Sequence, residues 1–357
     1  MNRRIAFVVP FLALVALLLS WERELNGLVL AIDLLLLAST IVAAVYHAEV
    51  VAHRVGEPFG TLILAVAVTV IEVALIVAVM VSSGPEPSSL ARDTVFSAVM
   101  ITVNGIVGLS LLIAAFRHRM PSFSAEGSGA ALATVAALAT FTLVFPSYTT
   151  SSSGPTLSGA QLTFASLAAI TLYGLFVFVQ AIRHREFFVP GQGATSERDD
   201  LGARPEQRDA LFSLGLLLVS LVGVVGLAKT ASPNIQAGIE SIGLPASFVG
   251  VVIAFLILLP EGAAAVRAAW VNRVQSSMNL ALGSAMASIG LTIPVIAVVS
   301  QIIDTPLLLG LAPVQVALFA LSMFVAALTI TPGRSTVMQG GVHLVLFAGF
   351  VVLSVSP

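Results

Sequence analysis

The chain has 357 residues, of which 58% are hydrophobic and only 10% are charged, and its mean hydropathy is +1.04. Soluble domains carry roughly 25% charged residues, so the composition indicates a protein with many membrane-spanning segments and the lipid bilayer as its partner. A net charge of -2 argues against a nucleic-acid partner. The lack of cysteine excludes disulfides, thiolate metal sites and thiol catalysis.

Eleven apolar segments, separated by Gly, Pro and charged clusters, make up most of the chain. Most are close to the roughly 20 residues that a helix needs to cross a bilayer. The first has the charged start of a signal peptide, but no small-residue cleavage pattern follows it, so we expect a retained helix. The segments lie at residues 5–20, 25–46, 59–82, 94–116, 130–148, 160–183, 210–228, 246–266, 277–299, 306–330 and 338–356.

The positive charges test this arrangement, because cytoplasmic loops carry an excess of Lys and Arg. With the N-terminus inside, 13 of the 16 basic residues fall on the cytoplasmic side, and only Arg23, Arg92 and Lys229 fall outside. A miscount of one helix early in the chain would scramble this asymmetry. The sequence therefore predicts an all-α membrane protein of about 11 transmembrane helices, with a cytoplasmic N-terminus and an outside C-terminus.

Residues 184–209 form the one long polar stretch, which mixes both signs of charge with Gly and Pro. We interpret this stretch as a flexible cytoplasmic linker, with an ion-sensing or regulatory segment as the alternative. The linker separates a first repeat at 25–183 from a second repeat at 210–357. An N-terminal transmembrane helix at 1–24 precedes the first repeat.

The two repeats share a motif of a glycine, an apolar run and one intramembrane glutamate. Gly60 precedes Glu72 by twelve residues, and Gly250 precedes Glu261 by eleven. The Glu72 helix is predicted to run from inside to outside and the Glu261 helix the opposite way, so we predict two inverted repeats of five helices each. Inverted repeats with a binding site at their midplane interface are typical of secondary transporters.

Both glutamates lie within predicted membrane spans, Glu72 near the middle of its segment and Glu261 nearer the cytoplasmic end of its own. An ionisable group at that depth costs about 3 kcal/mol or more, so each glutamate indicates a functional site. Pro260 removes a backbone donor next to Glu261, and we expect its helix to be kinked or broken there. Carbonyls freed by such a distortion are tolerated where they line a cavity or bind an ion.

Polar side chains near the two glutamates are candidate oxygen ligands for a cation. Thr69 lies one turn before Glu72, and the helices that follow the glutamates carry the rest of the set, which are Asn104, Asn279, Ser284 and Ser288. For the serines, tight helix packing through small residues is the alternative. Asn279 lies near the start of its helix, which makes a direct contact with the cation less favourable.

Three further acids are candidate auxiliary groups. Asp33 lies among leucines of the second segment, where a structural hydrogen bond and an auxiliary proton step are alternatives. Glu49 and Glu57 lie near the cytoplasmic boundary, where cation access and ordinary solvation are alternatives. His343, in the last segment, is interpreted as a packed core histidine.

These motifs resemble those of the calcium (cation)/proton antiporter family, within the cation/calcium exchanger superfamily. The similarity runs from HAEVVAHRVGEPFG at residue 47 to SIGLTIP at residue 294. It implies that Glu72 and Glu261 bind the cation and carry the exchanged protons, with support from Asn104, Ser284 and Ser288. It also implies a bacterial inner membrane location and no cofactor besides the transported ions.

The sequence departs from the family pattern just before each glutamate. Many exchangers have an asparagine three residues before it, whereas this chain has Thr69 and Leu258. The departure is similar to the bacterial broad-cation branch and weakens the expectation of strict Ca²⁺ selectivity. Fewer protein oxygens would leave more of the coordination to water.

The charge of the site in each state predicts exchange. The pair is neutral with two protons and neutral again around Ca²⁺, whereas an empty ionised pair buries two like charges. We therefore predict export of Ca²⁺ from the cytoplasm in exchange for H⁺ by alternating access. A Na⁺(K⁺)/H⁺ antiporter of the same fold is the alternative, and an intramembrane enzyme with paired carboxylates is a remote one.

Overall fold

The computed structural model describes residues 3–21, 23, 27–56, 59–83, 89–189, 205–241, 243–303 and 305–356. Helices account for nearly all of the secondary structure in these ranges, which also contain an isolated antiparallel bridge between Ser122 and Arg334. The predicted all-α fold class is confirmed. Apolar runs become helices because a helix satisfies its own backbone groups where water is absent.

The helices fall at the predicted apolar segments. Nine helices within the described ranges are long and apolar enough to cross a membrane, so the chain is an integral membrane protein. The exact number of spans, their orientation and the inverted repeats remain predictions. Counting each run of contiguous helical turns as one helix, the elements are α1 (Arg3–Ser20), α2 (Gly27–Val55), α3 (Phe59–Ser83), α4 (Leu90–His118), α5 (Ala125–Ser147), α6 (Gly159–Arg183), α7 (Gln207–Ser241), α8 (Phe248–Trp270), α9 (Val274–Ile302), α10 (Pro313–Ile330) and α11 (Val337–Val355).

The helices pack into two groups with separate apolar cores. The first group joins α1 and α7 to α2, and the second packs α4 against α11 and α9 against α5 and α6. Helices α3 and α8 contribute side chains to both cores: Ile71 and Ile253 to the first, and Ile76 and Leu258 to the second. The two helices that carry the predicted glutamates therefore lie between the groups.

The two glutamate-bearing helices differ in their neighbours. Helix α3 packs mainly against α2 and α7, whereas α8 packs mainly against α4 and α9. The close approach of α8 to α4 depends on Gly250, because a Cβ there would lie 2.7 Å from backbone atoms of Asp93 and Thr94. A larger residue would push the two helices apart.

An ion pair fixes the start of α4 beside this contact. The Nε and Nη2 atoms of Arg92 each lie 2.8 Å from Asp93 Oδ1, and Arg92 Nη1 donates to the carbonyl oxygen of Gly310 at 3.1 Å. Gly310 precedes α10, so the pair ties two distant parts of the second group together. Residues 306–312 lie outside α10, which begins at Pro313, so the predicted start of that helix at 306 is wrong. Proline is favoured at the first helical position because its nitrogen needs no acceptor there.

Helix α8 continues through Pro260 as one helix from Phe248 to Trp270. Of the two predicted distortions, the break is therefore wrong. A helix can continue through proline when packing compensates for one lost hydrogen bond. Since Pro260 has no N–H, the carbonyl of Leu256, one turn earlier, lacks its usual helical donor.

Turns of π-helix interrupt α4 at Ile101–Ile106 and α9 at Ser288–Thr292. Each π turn adds a residue to its turn and so changes the direction of the side chains around it. Such turns occur frequently at functional sites. Asn104 and Ser288, both predicted ligands, lie within these two turns.

Candidate functional site

Glu72 lies in the middle of α3, and its side chain is only 2% exposed. The Oγ atom of Ser288 donates a hydrogen bond to Glu72 Oε2 at 2.8 Å. Thr292, one turn further along α9, lies beside the same carboxylate. The contact joins α3 of the first predicted repeat to the π turn of α9 in the second.

Glu261 lies in the middle of α8. Its side chain is partly exposed, yet its Oε2 atom is buried. A Cβ on the neighbouring Gly262 would lie 3.3 Å from Ile106, so α8 is in direct contact with the π turn of α4. Helices α3 and α8 are in contact, so Glu72 and Glu261 lie on neighbouring helices. The structure thus brings together two acids that are far apart in the sequence.

Several buried oxygens around this pair lack a hydrogen-bond partner in the described part of the chain. They are Glu72 Oε1, Glu261 Oε2, Thr69 Oγ1 and Thr292 Oγ1. Leaving a polar atom unpaired in the protein interior costs about 1–3 kcal/mol, so the arrangement needs an explanation. Carboxylate and hydroxyl oxygens suit protons and hard cations. No cluster of three His, Cys, Asp or Glu residues forms within the described ranges, so two acids and neutral oxygens make up the candidate set.

The other predicted ligands occupy different positions. Ser284 lies one turn before Ser288 and is partly buried. Asn279 lies near the start of α9, where it donates to the carbonyl oxygen of Phe188 at 2.7 Å and accepts from Gln275 at 2.8 Å. These bonds tie α9 to the segment after α6 and do not involve either glutamate.

Asn104 is completely buried in the π turn of α4. Its carboxamide is hydrogen-bonded to Ser322 of α10 and His343 of α11, and neither bond involves a glutamate. The roles of Asn104, Asn279 and Ser284 as cation ligands remain predictions.

The two candidate auxiliary acids that the structure describes, Asp33 and Glu49, both lie on α2. Asp33 is buried in α2, and its Oδ2 atom has no partner among the described residues. Glu49 is exposed, but it is close enough to Glu261 for repulsion and to Arg267 for attraction. Glu57 lies outside the described residues.

The sequence interpretation did not name Thr292 as a ligand, although its spacing of four from Ser288 places both hydroxyls on one helix face.

Comparison with known proteins gives a family match over most of the chain. The profile of the family described as sodium/calcium exchanger protein matches residues 24–182 and 212–356. The chain is 44% identical over 322 residues to the putative ionic transporter y4hA of Sinorhizobium fredii (strain NBRC 101917 / NGR234), with 90% of this chain and 87% of the relative covered. It is 32% identical over 355 residues to the sodium-potassium/proton antiporter ChaA of Escherichia coli (strain K12), with 98% and 96% covered.

The fold is similar to that of a solved exchanger. The crystal structure of the H⁺/Ca²⁺ exchanger CAX superposes with a TM-score of 0.71 and 14% identity, and the match covers 97% of this chain and 86% of the other. This likeness confirms the arrangement of the helices, and the relatives found are transporters rather than enzymes. Because the family profile matches two long regions that cover most of the chain, the chain belongs to the sodium/calcium exchanger family.

Proposed function

We propose that this chain is a proton-coupled antiporter that exports Ca²⁺ from the cytoplasm in exchange for H⁺, with Glu72 and Glu261 as the shared site. One observation carries the proposal. Two glutamates on helices that pack against each other each have a buried carboxylate oxygen without a hydrogen-bond partner in the described part of the chain. Either one divalent cation or two protons neutralises such a pair.

The charge of the pair explains the coupling. An empty, fully ionised pair leaves two like charges in a low-dielectric interior, which disfavours any rearrangement that keeps them away from water. The loaded states avoid this cost. Movement of a cation in one direction then requires the return of protons, which gives an expected ratio of two protons per divalent ion.

Neutral oxygens complete the proposed coordination. The Ser288 hydroxyl can donate to ionised Glu72 and can also offer lone pairs to a cation. Thr69 and Thr292 supply further hydroxyl oxygens, and the Leu256 carbonyl is available because of Pro260. Ca²⁺ takes 6–8 oxygen ligands, so bound water would fill the rest of its shell.

A Na⁺(K⁺)/H⁺ antiporter is the second candidate, and a specific comparison favours it. ChaA, named a sodium-potassium/proton antiporter, is 32% identical over 98% of this chain. A monovalent ion would be neutralised by a pair that keeps one proton, giving one proton per cation. The fold likeness to the H⁺/Ca²⁺ exchanger CAX supports the first candidate.

Proton release from everted membrane vesicles tests the proposal. Vesicles acidified by respiration would receive CaCl₂, NaCl or KCl, and a pH-sensitive dye would report loss of lumenal protons. Wild type is expected to respond to Ca²⁺, whereas Glu72→Gln and Glu261→Gln are expected not to respond. The matched control is Glu126→Gln, which changes an exposed glutamate at the start of α5. Wild-type exchange in both site variants would contradict the proposal, and a response to Na⁺ or K⁺ alone would favour the second candidate.

A further inference from the structure

A buried polar cluster, which we name the amide clamp, joins α4, α10 and α11. It consists of Asn104, Ser322, Thr329 and His343, each at most 2% exposed. Polar groups at such depth are costly unless they are paired, and in the amide clamp each side chain has a partner. The proposed exchange mechanism does not use this cluster.

The hydrogen bonds of the amide clamp hold both ends of one carboxamide. Asn104 Nδ2 donates to Ser322 Oγ at 2.9 Å and lies 3.8 Å from the sulfur of Met100. His343 Nδ1 lies 3.1 Å from Asn104 Oδ1, and His343 Nε2 lies 3.1 Å from Thr329 Oγ1. An amide oxygen can only accept, so His343 Nδ1 carries the proton and Nε2 of the neutral ring accepts from Thr329.

Close packing leaves His343 little freedom to move. A Cβ on Gly108 would lie 2.8 Å from His343 Cβ, and a Cβ on Gly340 would lie 2.6 Å from the backbone nitrogen of Leu112. Helices α4 and α11 therefore meet at backbone distance. Gly108 follows Asn104 by four residues, so the crossing lies on the helix face that presents the carboxamide.

The clamp turns Asn104 toward α10 and α11, while Glu72 makes its hydrogen bond to Ser288 on α9. Both amide protons have acceptors, and one lone pair of the oxygen is in use. The π turn that carries Asn104 packs against α8, which carries Glu261, and against α9, which carries Ser288, so a released carboxamide would lie beside the helices of the site. Withholding an amide oxygen leaves a site of carboxylates, hydroxyls and the Leu256 carbonyl.

We propose that His343 is a specificity-determining residue that acts through Asn104, by holding its carboxamide oxygen away from the transported cation. This inference rests on the proposed function. Ca²⁺ needs more oxygen ligands than the glutamate pair offers, so the restraint lowers the preference for Ca²⁺ over monovalent ions. Releasing Asn104 would supply an additional neutral oxygen and raise that preference.

A double-mutant cycle tests this proposal. The variants are His343→Leu, Asn104→Leu and their combination, and the readout is the ratio of apparent KM values for Na⁺ and Ca²⁺, together with each maximal rate. His343→Leu is expected to raise the ratio by about three- to tenfold, because the freed amide oxygen seeks a new partner. Asn104→Leu is expected to leave the ratio within about twofold of wild type and to abolish the effect of His343→Leu in the combined variant.

Two further variants keep the test decisive. His343→Gln retains an N–H donor and is expected to keep a ratio close to that of wild type. If His343→Leu does not accumulate in the membrane, His343→Met removes the same donor with an unbranched side chain and is expected to shift the ratio in the same direction. A large rise in the Ca²⁺ KM for Asn104→Leu alone would overturn the proposal, because Asn104 would then already be a ligand.

Equal loss of both transport rates in His343→Leu, with an unchanged ratio, would also overturn the proposal by showing a purely structural role. Failure of the proposed function has a different signature. In that case Glu72→Gln would retain exchange, whereas the ratios of the clamp variants would still be measurable.

Discussion

At the scale of single residues, the hydrogen bond from Ser288 to Glu72 connects the two halves of the chain. The serine comes from a π turn of α9 and the carboxylate from the middle of α3. A hydroxyl can stabilise an ionised carboxylate by donating to it, and it can also turn its lone pairs toward a cation. Ser288 therefore contributes to cation binding without adding charge.

We predict that Ser288→Ala raises the apparent KM for the transported cation by about ten- to 150-fold, because a hydrogen bond to a charged group contributes about 1.5–3 kcal/mol. Vesicle transport assays over a range of cation concentrations would measure this change. The control is Ser300→Ala on the same helix, whose hydroxyl donates to the carbonyl of Ala297. Equal effects of both substitutions would argue against a role for Ser288 in the site.

The sequence identifies Glu72 and Glu261 because a lone charge in a long apolar run is visible without a structure. The orientation of Asn104 could not be predicted in the same way. Its carboxamide depends on His343, which is 239 residues away in the chain. Nothing in the local sequence of α4 indicates which neighbour would hold it.

At the scale of helices, α8 combines a close approach to α4 with a carbonyl freed by proline. Gly250 lies near the N-terminal end of α8, and Pro260 lies near its middle. The Gly250 contact sets the distance between α8 and α4, while Pro260 leaves the helix continuous. The position of Glu261 therefore depends on backbone packing more than on side-chain bonds.

We predict that Gly250→Ala lowers the stability of the purified protein by about 1–3 kcal/mol, since the added methyl group meets the backbone of α4. Thermal unfolding in detergent would report this change. The matched control is Gly283→Ala on α9, where a Cβ meets nothing within 4 Å. Its higher helix propensity should keep or raise stability by up to about 1 kcal/mol. Similar melting temperatures for Gly250→Ala and wild type would exclude the close approach.

The predicted apolar segments locate the middle of the helices better than their ends. The segment predicted at 210–228 is part of α7, which extends to Ser241 through Pro233. Lys229 and the following polar residues suggest an end to the apolar run, yet packing against α2 and α3 continues the helix. The same limit explains α8, where tertiary contacts override the tendency of Pro260 to end a helix.

At the scale of the whole molecule, the two predicted repeats have unequal environments. Helix α3 is packed with the first group and α8 with the second, although their sequences share one motif. Repetition in sequence predicts equivalent elements, but it cannot predict which of two packing arrangements each element adopts. The unequal packing of α3 and α8 is a property of the folded structure alone.

Orientation across the membrane is a prediction of the charge asymmetry, and the lack of native cysteine makes it directly testable. Single cysteines would be introduced at Ser153, between α5 and α6, and at Arg119, between α4 and α5, which are both exposed. With a cytoplasmic N-terminus, a membrane-impermeant maleimide applied to intact cells should label Ser153→Cys but not Arg119→Cys. Lysed cells provide the control in which both are labelled, and the reverse pattern in intact cells would refute the orientation.

The central claim is that one pair of glutamates couples the cation to protons. Its most direct test is transport by purified protein in proteoliposomes, with Ca²⁺ flux and internal pH recorded together under a set membrane voltage. The account predicts two protons exchanged per Ca²⁺, no dependence on voltage, and no flux for Glu72→Gln or Glu261→Gln. Substantial Ca²⁺ flux through the wild-type protein without proton movement would contradict it.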